Sequence, residues 1–575
     1  MMSHQPILCL LLTAVTVLSS CLDEQDFHSP EQPETPSVPT VPEGNYFADS
    51  LEYTPEKQRQ TLTDIQRGYF RFFYENCQAD SKMALIGTER STNTVALAGS
   101  AYAATAIPVA VERGWITRKE GAQRFLDMCT FLNKAERYHG AWSHWMDGKT
   151  GTGLPFNQKQ QSAGDLVETS FMMMGLFICS EYFNSEDATE TEARAFVSKF
   201  HNEIDWNFYT NGEKTLYWAW DKDLGFAPLK ITGPCEALPA YLLALSAPEE
   251  YAITEDVYTN GWRGNKFFNA GRTTYGYTFE LGGEEKGGPL FTTQHPFLWI
   301  NPFLYQDNYA DYWEFCTNHA LINRHYSLND APKEYLYDEY NWGLSACYGP
   351  EPLGYKGRAP GESRDDGTIC TTGAMGTIPV TPFYALQVIR LLYETPHLQG
   401  TYGITDAYNR SLAWADSRYL SISVMPVVSV IENYRSGLIW KLALQSEPIR
   451  QGLEAAGFKA VTYPEGFCQN PVNLQTGAVD LTAHLHQHAG RDLLRAADPL
   501  DRLVIFHDAD LRQLDAHLLP DQSGERCGCV AGADAANLPK RVQLQGVQFV
   551  IILDPHCSLS SPSSSQIIDG GLDLI

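Results

Sequence analysis

From Thr54 onward, apolar residues recur in blocks separated by polar, glycine-rich stretches. Thr54-Pro55-Glu56 reads as a helix start, with a cap residue, a proline at the first helical position and an acid in the first turn. Leu62, Ile65, Tyr69, Phe70, Phe72 and Phe73 then supply an apolar face. Similar blocks predict helices over 100–113, 119–134, 165–183, 190–209, 236–245, 307–323, 381–393, 405–417 and 431–444. Some are apolar almost all round, as in Phe171-Met172-Met173-Met174-Gly175-Leu176-Phe177-Ile178, and a helix without a polar face is buried on every side. Partly polar blocks alternate with these. Two concentric layers of helices produce that alternation, so the pattern predicts an all-α, (α/α) barrel of about twelve helices. The loops between blocks are rich in aromatic residues, as in Tyr138–Trp145 and Tyr217–Trp220, and residues 274–280 predict a small hairpin.

The ends of the chain differ from this body. Ile7 to Leu18 is an apolar run, too short for the roughly 20 residues a membrane span needs. Leu18-Ser19-Ser20-Cys21 follows and resembles a bacterial lipobox, which implies a signal peptide over residues 1–20 and acylation of Cys21. Met1–Pro6 departs from that pattern in having no Lys or Arg. The acidic stretch Leu22–Asp26 resembles the surface-export signal of Bacteroidetes lipoproteins. Prolines 30, 33, 36, 39 and 42 then favour an extended spacer, so residues 21–51 read as a linker. The expected location is the outer membrane, on the cell surface or the periplasmic face, with the lipid as the only membrane tie. Near residue 458 the texture changes again. All twelve tryptophans lie at or before Trp440, whereas six of the fifteen histidines lie in 460–575. The body is therefore set at 52–457. The tail, 458–575, carries two strand-like runs, Leu503–Phe506 and Phe549–Leu553, but no coherent domain emerges. It is either an accessory module or sequence foreign to the native protein, and the compositional break favours the second.

Composition narrows the partners. The 575 residues carry a formal net charge of −27, which repels nucleic acid and anionic lipid but not a neutral polymer. The 13 cysteines are scattered and read as buried thiols. His484, His486 and His488 alternate, yet no cluster has metal-ligand spacing, so no metal and no cofactor are expected.

Glycosidic bond cleavage commonly needs two carboxyl groups, one to protonate the leaving oxygen and one to activate water or attack. Asp165 and Glu168, three apart at a helix start, share one side, although an acid at the cap with Glu three residues on is also a capping pattern. Glu236 opens the apolar block 236–245, where an acid also complements the helix dipole. Asp365-Asp366-Gly367 is a weaker candidate, readable as a turn. The polar patch Glu432–Ser436 inside an apolar helix is either a structural network or a sugar-binding floor.

Taken together, Glu112–Arg118, Gly164–Glu168, Gly288–Phe291, Asn341–Ala346, Asp366–Ile369 and Ile431–Trp440 resemble, in order, the glucoamylase-like domain of bacterial glycoside hydrolase family 144. The resemblance covers most of 62–457. It implies an (α/α)6 barrel and hydrolysis of a β-glucan, β-1,2-glucan foremost, with inversion. It also implies that the essential acids fall on Asp165, Glu168 and Glu236. Glu236 is then the general acid, Asp165 acts on the base side and Glu168 orients substrate or water. Trp142, Trp218, Trp220, His295, Asp366 and Arg435 are the expected sugar contacts. The sequence departs from the family pattern at Gln161, where relatives carry an acid, at Leu420–Pro426, where an Asp is expected, and at Gln294-His295-Pro296. The alternative function is a non-catalytic glycan-binding lipoprotein, in a SusD-like role or as a degenerate hydrolase.

Overall fold

A computed structural model describes residues 55–88, 93–156, 163–263, 273–279, 284, 286–361 and 363–461, together with the backbone of three short strands between 505 and 551. Among the described residues, fourteen α-helices lie between Pro55 and Ala455. The first twelve form six successive pairs: α1 (Pro55–Asn76) with α2 (Leu97–Glu112), α3 (Arg118–Lys134) with α4 (Leu166–Tyr182), and α5 (Ala188–Glu203) with α6 (Leu238–Leu245). Then come α7 (Glu255–Asn260) with α8 (Phe291–Trp299), α9 (Tyr312–His325) with α10 (Thr371–Met375), and α11 (Pro382–Glu394) with α12 (Ser421–Ser436).

The second helix of each pair is the inner one. All residues of α2 from Leu97 to Ala110, and all of α4 from Leu166 to Cys179, are buried. Their partners bury only a stripe at i, i+3, i+4 and i+7 spacing, as Ala385, Val388, Ile389 and Leu392 do in α11. Helix α9 departs from this, being buried along most of its length beside the hairpin Thr273–Thr278, where Asn318 donates to the Thr278 carbonyl. Inner helices touch closely: a side chain at Gly175 of α4 would put its Cβ 2.4 Å from the Ala101 carbonyl oxygen of α2. Helix α13 (Leu438–Gln445) packs on α4 and α8, and α14 (Glu447–Ala455) packs on α6.

Four boundaries correct the sequence reading. Residues 405–417 are not helical. They form antiparallel strands Ala407–Asn409 and Trp414–Ala415, because the Asn409 side chain accepts from Leu412 N–H and turns the chain. Helix α8 lies outside the predicted blocks and α12 begins at Ser421, ten residues before the predicted start at 431; the two contain Pro296 and Pro426. The block 431–444 divides at Gly437, whose φ of 67° a side chain rarely adopts. Glu236 lies in a turn two residues before α6, not inside the helix.

Cys21 and the linker 21–51 lie outside the described residues. So does the tail beyond residue 461, apart from strands Ile505–His507, Lys540–Leu544 and Val547–Ile551. These pair antiparallel with the last in the middle, in agreement with the two predicted strand runs.

Candidate active site

The inner helices surround a cavity with an empty volume of about 1220 Å³, counted out to its open mouth. Its wall comes from α2 (Ala98, Gly99), α4 (Glu168, Phe171), α8 (Phe291, Gln294, His295), α10 (Thr372) and α12 (Ser421–Ser423, Pro426), with loop residues His144, Trp145, Phe156, Trp218, Glu236, Tyr348 and Tyr355. Among the described residues that line it, Glu168 and Glu236 are the carboxylic acids, and none is a lysine or arginine. Aromatic faces and polar acids without a cation suit a neutral sugar chain rather than an anionic ligand.

Local structure brings the acids here. Asp165 caps α4, its side chain accepting from Glu168 N–H at 3.0 Å. The reciprocal half of a capping box is not made. Glu168 instead turns to α2, where its Oε2 accepts from Ala98 N–H at 2.6 Å. Strand Gly164–Asp165 pairs with Ala219–Asp221, and Ser143 bridges to Gly164. These pairings bring Trp218 and His144 to Asp165. Trp218 Nε1 donates to Asp165 Oδ2 at 3.2 Å, and His144 Nδ1 lies 2.9 Å from the same oxygen and 3.7 Å from Glu168 Oε1. The His144 ring stacks on Phe156, centroids 3.5 Å apart.

Burial sets the electrostatics. Desolvation pushes the Glu168 carboxyl up to about 7, with Asp165 and Glu236 adding to the rise and His144 and the Ala98 N–H opposing it. Burial also pushes His295 down to about 3, so it is a neutral imidazole at ordinary pH, packed against Tyr102, Phe171 and Phe291.

The structure thus gathers Glu168, Glu236, Trp218 and His295 at one cavity. Asp165 stands directly behind that wall: it is 3% exposed, does not line the cavity and is taken up by three polar partners. Asp165 meets His144 and Trp218 there, while Glu168 is the one of the two acids that lines the cavity. The remaining four predicted sugar contacts do not line the cavity. Trp142 is fully buried, its Nε1 donating to the Leu132 carbonyl and its ring under Arg137. Trp220 packs against His139 and Phe208. Asp366 is held by Arg358 and Lys356, each at 2.7 Å; burial works against its charge, but those cations keep its carboxyl below the usual range. Arg435 occupies the last turn of α12. The polar patch beside it proves structural: Glu432 pairs with Arg113, and Asn433 donates to the Leu298 carbonyl.

Sequence reasoning missed His144, Phe156, Tyr348 and Tyr355. His144 sat within the aromatic loop 138–145, but its link to Asp165 depends on the Ser143–Gly164 bridge, which the sequence does not display.

Known proteins are similar to this chain in sequence and fold. Residues 228–447 match the Glycoamylase family model, described as "Putative glucoamylase". The exo β-1,2-glucooligosaccharide sophorohydrolase (non-reducing end) of Parabacteroides distasonis is 32% identical over 422 residues, 70% of this chain and 58% of that protein. The endo-β-1,2-glucanase of Chitinophaga pinensis, in complex with sophorotriose and glucose, is 35% identical, with a TM-score of 0.67 over 70% of this chain and 98% of that one. The chain belongs to the glucoamylase-like family, of the glycoside hydrolase family 144 type. This membership agrees with the resemblance carried by the sequence motifs. The endo-β-1,2-glucanase of Talaromyces funiculosus, at 11% identity and a TM-score of 0.51, shares the fold alone. The (α/α) barrel of the family is the architecture observed here. The chain spans only 58% of the length of its curated Parabacteroides relative.

Proposed function

We propose that this chain hydrolyses β-1,2-linked glucan by an inverting, two-carboxyl mechanism. The observation that carries the proposal is the presence of Glu168 and Glu236 on the wall of one aromatic cavity. The β-1,2-glucan activities of family members at 32–35% identity supply the linkage. Glu236 protonates the leaving glycosidic oxygen as the C1–O bond breaks. Glu168 takes a proton from the water that adds to C1 from the opposite face. A base works when ionised, and one with a pKa near the working pH accepts the proton most effectively. Asp165 holds His144 and Trp218 in place around the reacting sugar. Incubation with β-1,2-glucan, followed by NMR of newly released reducing ends, tests this. The α-anomer is expected first. Initial β-anomer contradicts inversion, and no product contradicts the activity.

The raised carboxyl of Glu168 sets the acid side of the pH profile. Below about pH 7 the base is protonated, so kcat/KM should fall by about tenfold per unit. A kcat/KM that stays level from about pH 7 down to about pH 5 would remove Glu168 from the base role.

We further propose that Cys21 is acylated and tethers the protein to the outer membrane, with Leu18-Ser19-Ser20-Cys21 as support. Cys21→Ala should then move the protein from the membrane fraction to the soluble fraction. Unchanged membrane association would sink the assignment.

A further inference from the structure

Gln294 of α8 lines the cavity but takes no part in the mechanism above. Its side-chain amide is held by α10 and by the residue that ends it. Gln294 Nε2 donates to the Gly373 carbonyl at 2.6 Å. That carbonyl is open because the Thr377 N–H, which would bond it in a continuing α-helix, turns back to Ala374 instead. It is also fixed in place, since Gly373 lies so close to Gly343 that a Cβ there would stand 2.6 Å from the Gly343 carbonyl oxygen. Gly376 follows α10 and covers the flat face of the amide. A Cβ at Gly376 would lie 2.8 Å from both Cδ and Nε2 of Gln294, and 2.9 Å from Oε1.

The Gly373 contact settles which way the amide points. A reversed amide would set two acceptor oxygens 2.6 Å apart, so the nitrogen faces Gly373 and Oε1 faces away from it. Oε1 takes up no hydrogen bond among the described residues. Thr372 and Gly376 line the cavity together with Gln294, so the amide stands at the wall and not behind it.

We propose that Gln294 is a substrate-binding residue of the glucan site, its Oε1 accepting from one sugar hydroxyl while Gly373 and Gly376 fix the amide so that only an acceptor is offered there. The inference rests on the glucan-hydrolase reading above. An acceptor-only edge selects a group that can donate, as a glucose hydroxyl can. An amide held before the sugar arrives loses little freedom on binding. No bond is made or broken through Gln294, so it governs binding more than the chemical step.

The test compares wild type, Gln294→Met, Gln294→Ala, Gly376→Ala and the Gln294→Ala/Gly376→Ala double variant. For each, Kd for β-1,2-gluco-oligosaccharides is measured by calorimetry, with kcat and KM on the same sugars. Gln294→Met and Gln294→Ala should raise KM and Kd by about 3- to 10-fold, the loss of one hydrogen bond, with kcat within about twofold. Gly376 has ordinary helical backbone angles, so alanine is accepted there and its methyl displaces the flexible amide. Gly376→Ala should therefore raise Kd by a similar factor, and the double variant should match Gln294→Ala alone. Monodeoxyfluoro forms of the same sugars, each lacking one hydroxyl donor, identify the hydroxyl. One of them should bind wild type about 3- to 10-fold more weakly than the parent sugar and lose nothing further on Gln294→Ala. Wild-type Kd in both Gln294 variants, whatever their melting temperatures, overturns the inference. So do effects that add in the double variant, or a loss on Gln294→Ala that is the same for every fluorinated sugar. If Gly376→Ala does not fold, the Gln294 variants and the fluorinated sugars decide by the same criteria. A wild type that binds these sugars without cleaving them removes the hydrolase reading but leaves the Kd comparison intact. A wild type that neither binds nor cleaves overturns both.

Discussion

Glu236→Gln is expected to lower turnover on β-1,2-glucan by about 10²–10⁴-fold, the usual contribution of a general acid, while oligosaccharide binding and melting stay near wild type. Glutamine keeps the size of the side chain and much of its hydrogen bonding but cannot give up a proton. Glu236 is 5% exposed and lines the cavity that Glu168 also lines. The competing role for an acid here was to complement the dipole of the helix that follows. That role is weakened by the position of Glu236 in the turn before α6, two residues ahead of the first helical one. If the dipole were its whole purpose, the substitution would cost about 0.3–1 kcal/mol of stability and leave turnover intact. Steady-state rates and thermal melts on one preparation separate the two outcomes.

The second large effect is on stability. Glu432 of α12 is buried and receives both Nε and Nη2 of Arg113, at 2.9 and 2.6 Å, with Gln66 Nε2 at 3.2 Å. Removing one partner of such a pair leaves the other charge stranded, at a cost of about 3–5 kcal/mol. Arg113 retains some access to water, so the cost of Glu432→Ala should fall near the lower end of that range. The pair joins the C-terminal end of α2 to α12, and Gln66 adds α1, so its loss loosens three helices together. Glu432 does not line the cavity, and kcat per folded molecule should hold. Denaturant unfolding checks this. A midpoint unchanged from wild type would show that the network carries little stability, and unchanged stability with lost activity would return Glu432 to the site.

Much of this was legible in the sequence, for physical reasons that also explain the gaps. The all-apolar block 171–178 and the striped block 119–134 have opposite surroundings, and that contrast alone indicates two helical layers. Helix α8 was less visible, because Pro296 reads as a breaker where tertiary packing tolerates it. Residues 405–417 carry enough apolar residues to suggest a helix, but the side chain of Asn409 diverts the backbone into a turn. The acids were found through their setting at helix starts and through the family motifs. Which of them faces the cavity was not legible, because Asp165 and Glu168 are close in sequence and only the fold shows that Glu168 lines the cavity and Asp165 does not. The tryptophans were the least reliable guide. Trp142 and Trp218 sit in similar aromatic loops, yet the first is core and the second lines the cavity.

The central claim is that the cavity bearing Glu168 and Glu236 cleaves β-1,2-linked glucan. The most direct measurement is the rate at which the purified protein releases reducing ends from β-1,2-glucan, set beside β-1,3- and β-1,4-linked glucans under the same conditions. Release from the β-1,2-linked polymer well above the others, abolished together with Glu236→Gln, is the predicted result. Binding of β-1,2-glucan without any release of reducing ends would contradict it.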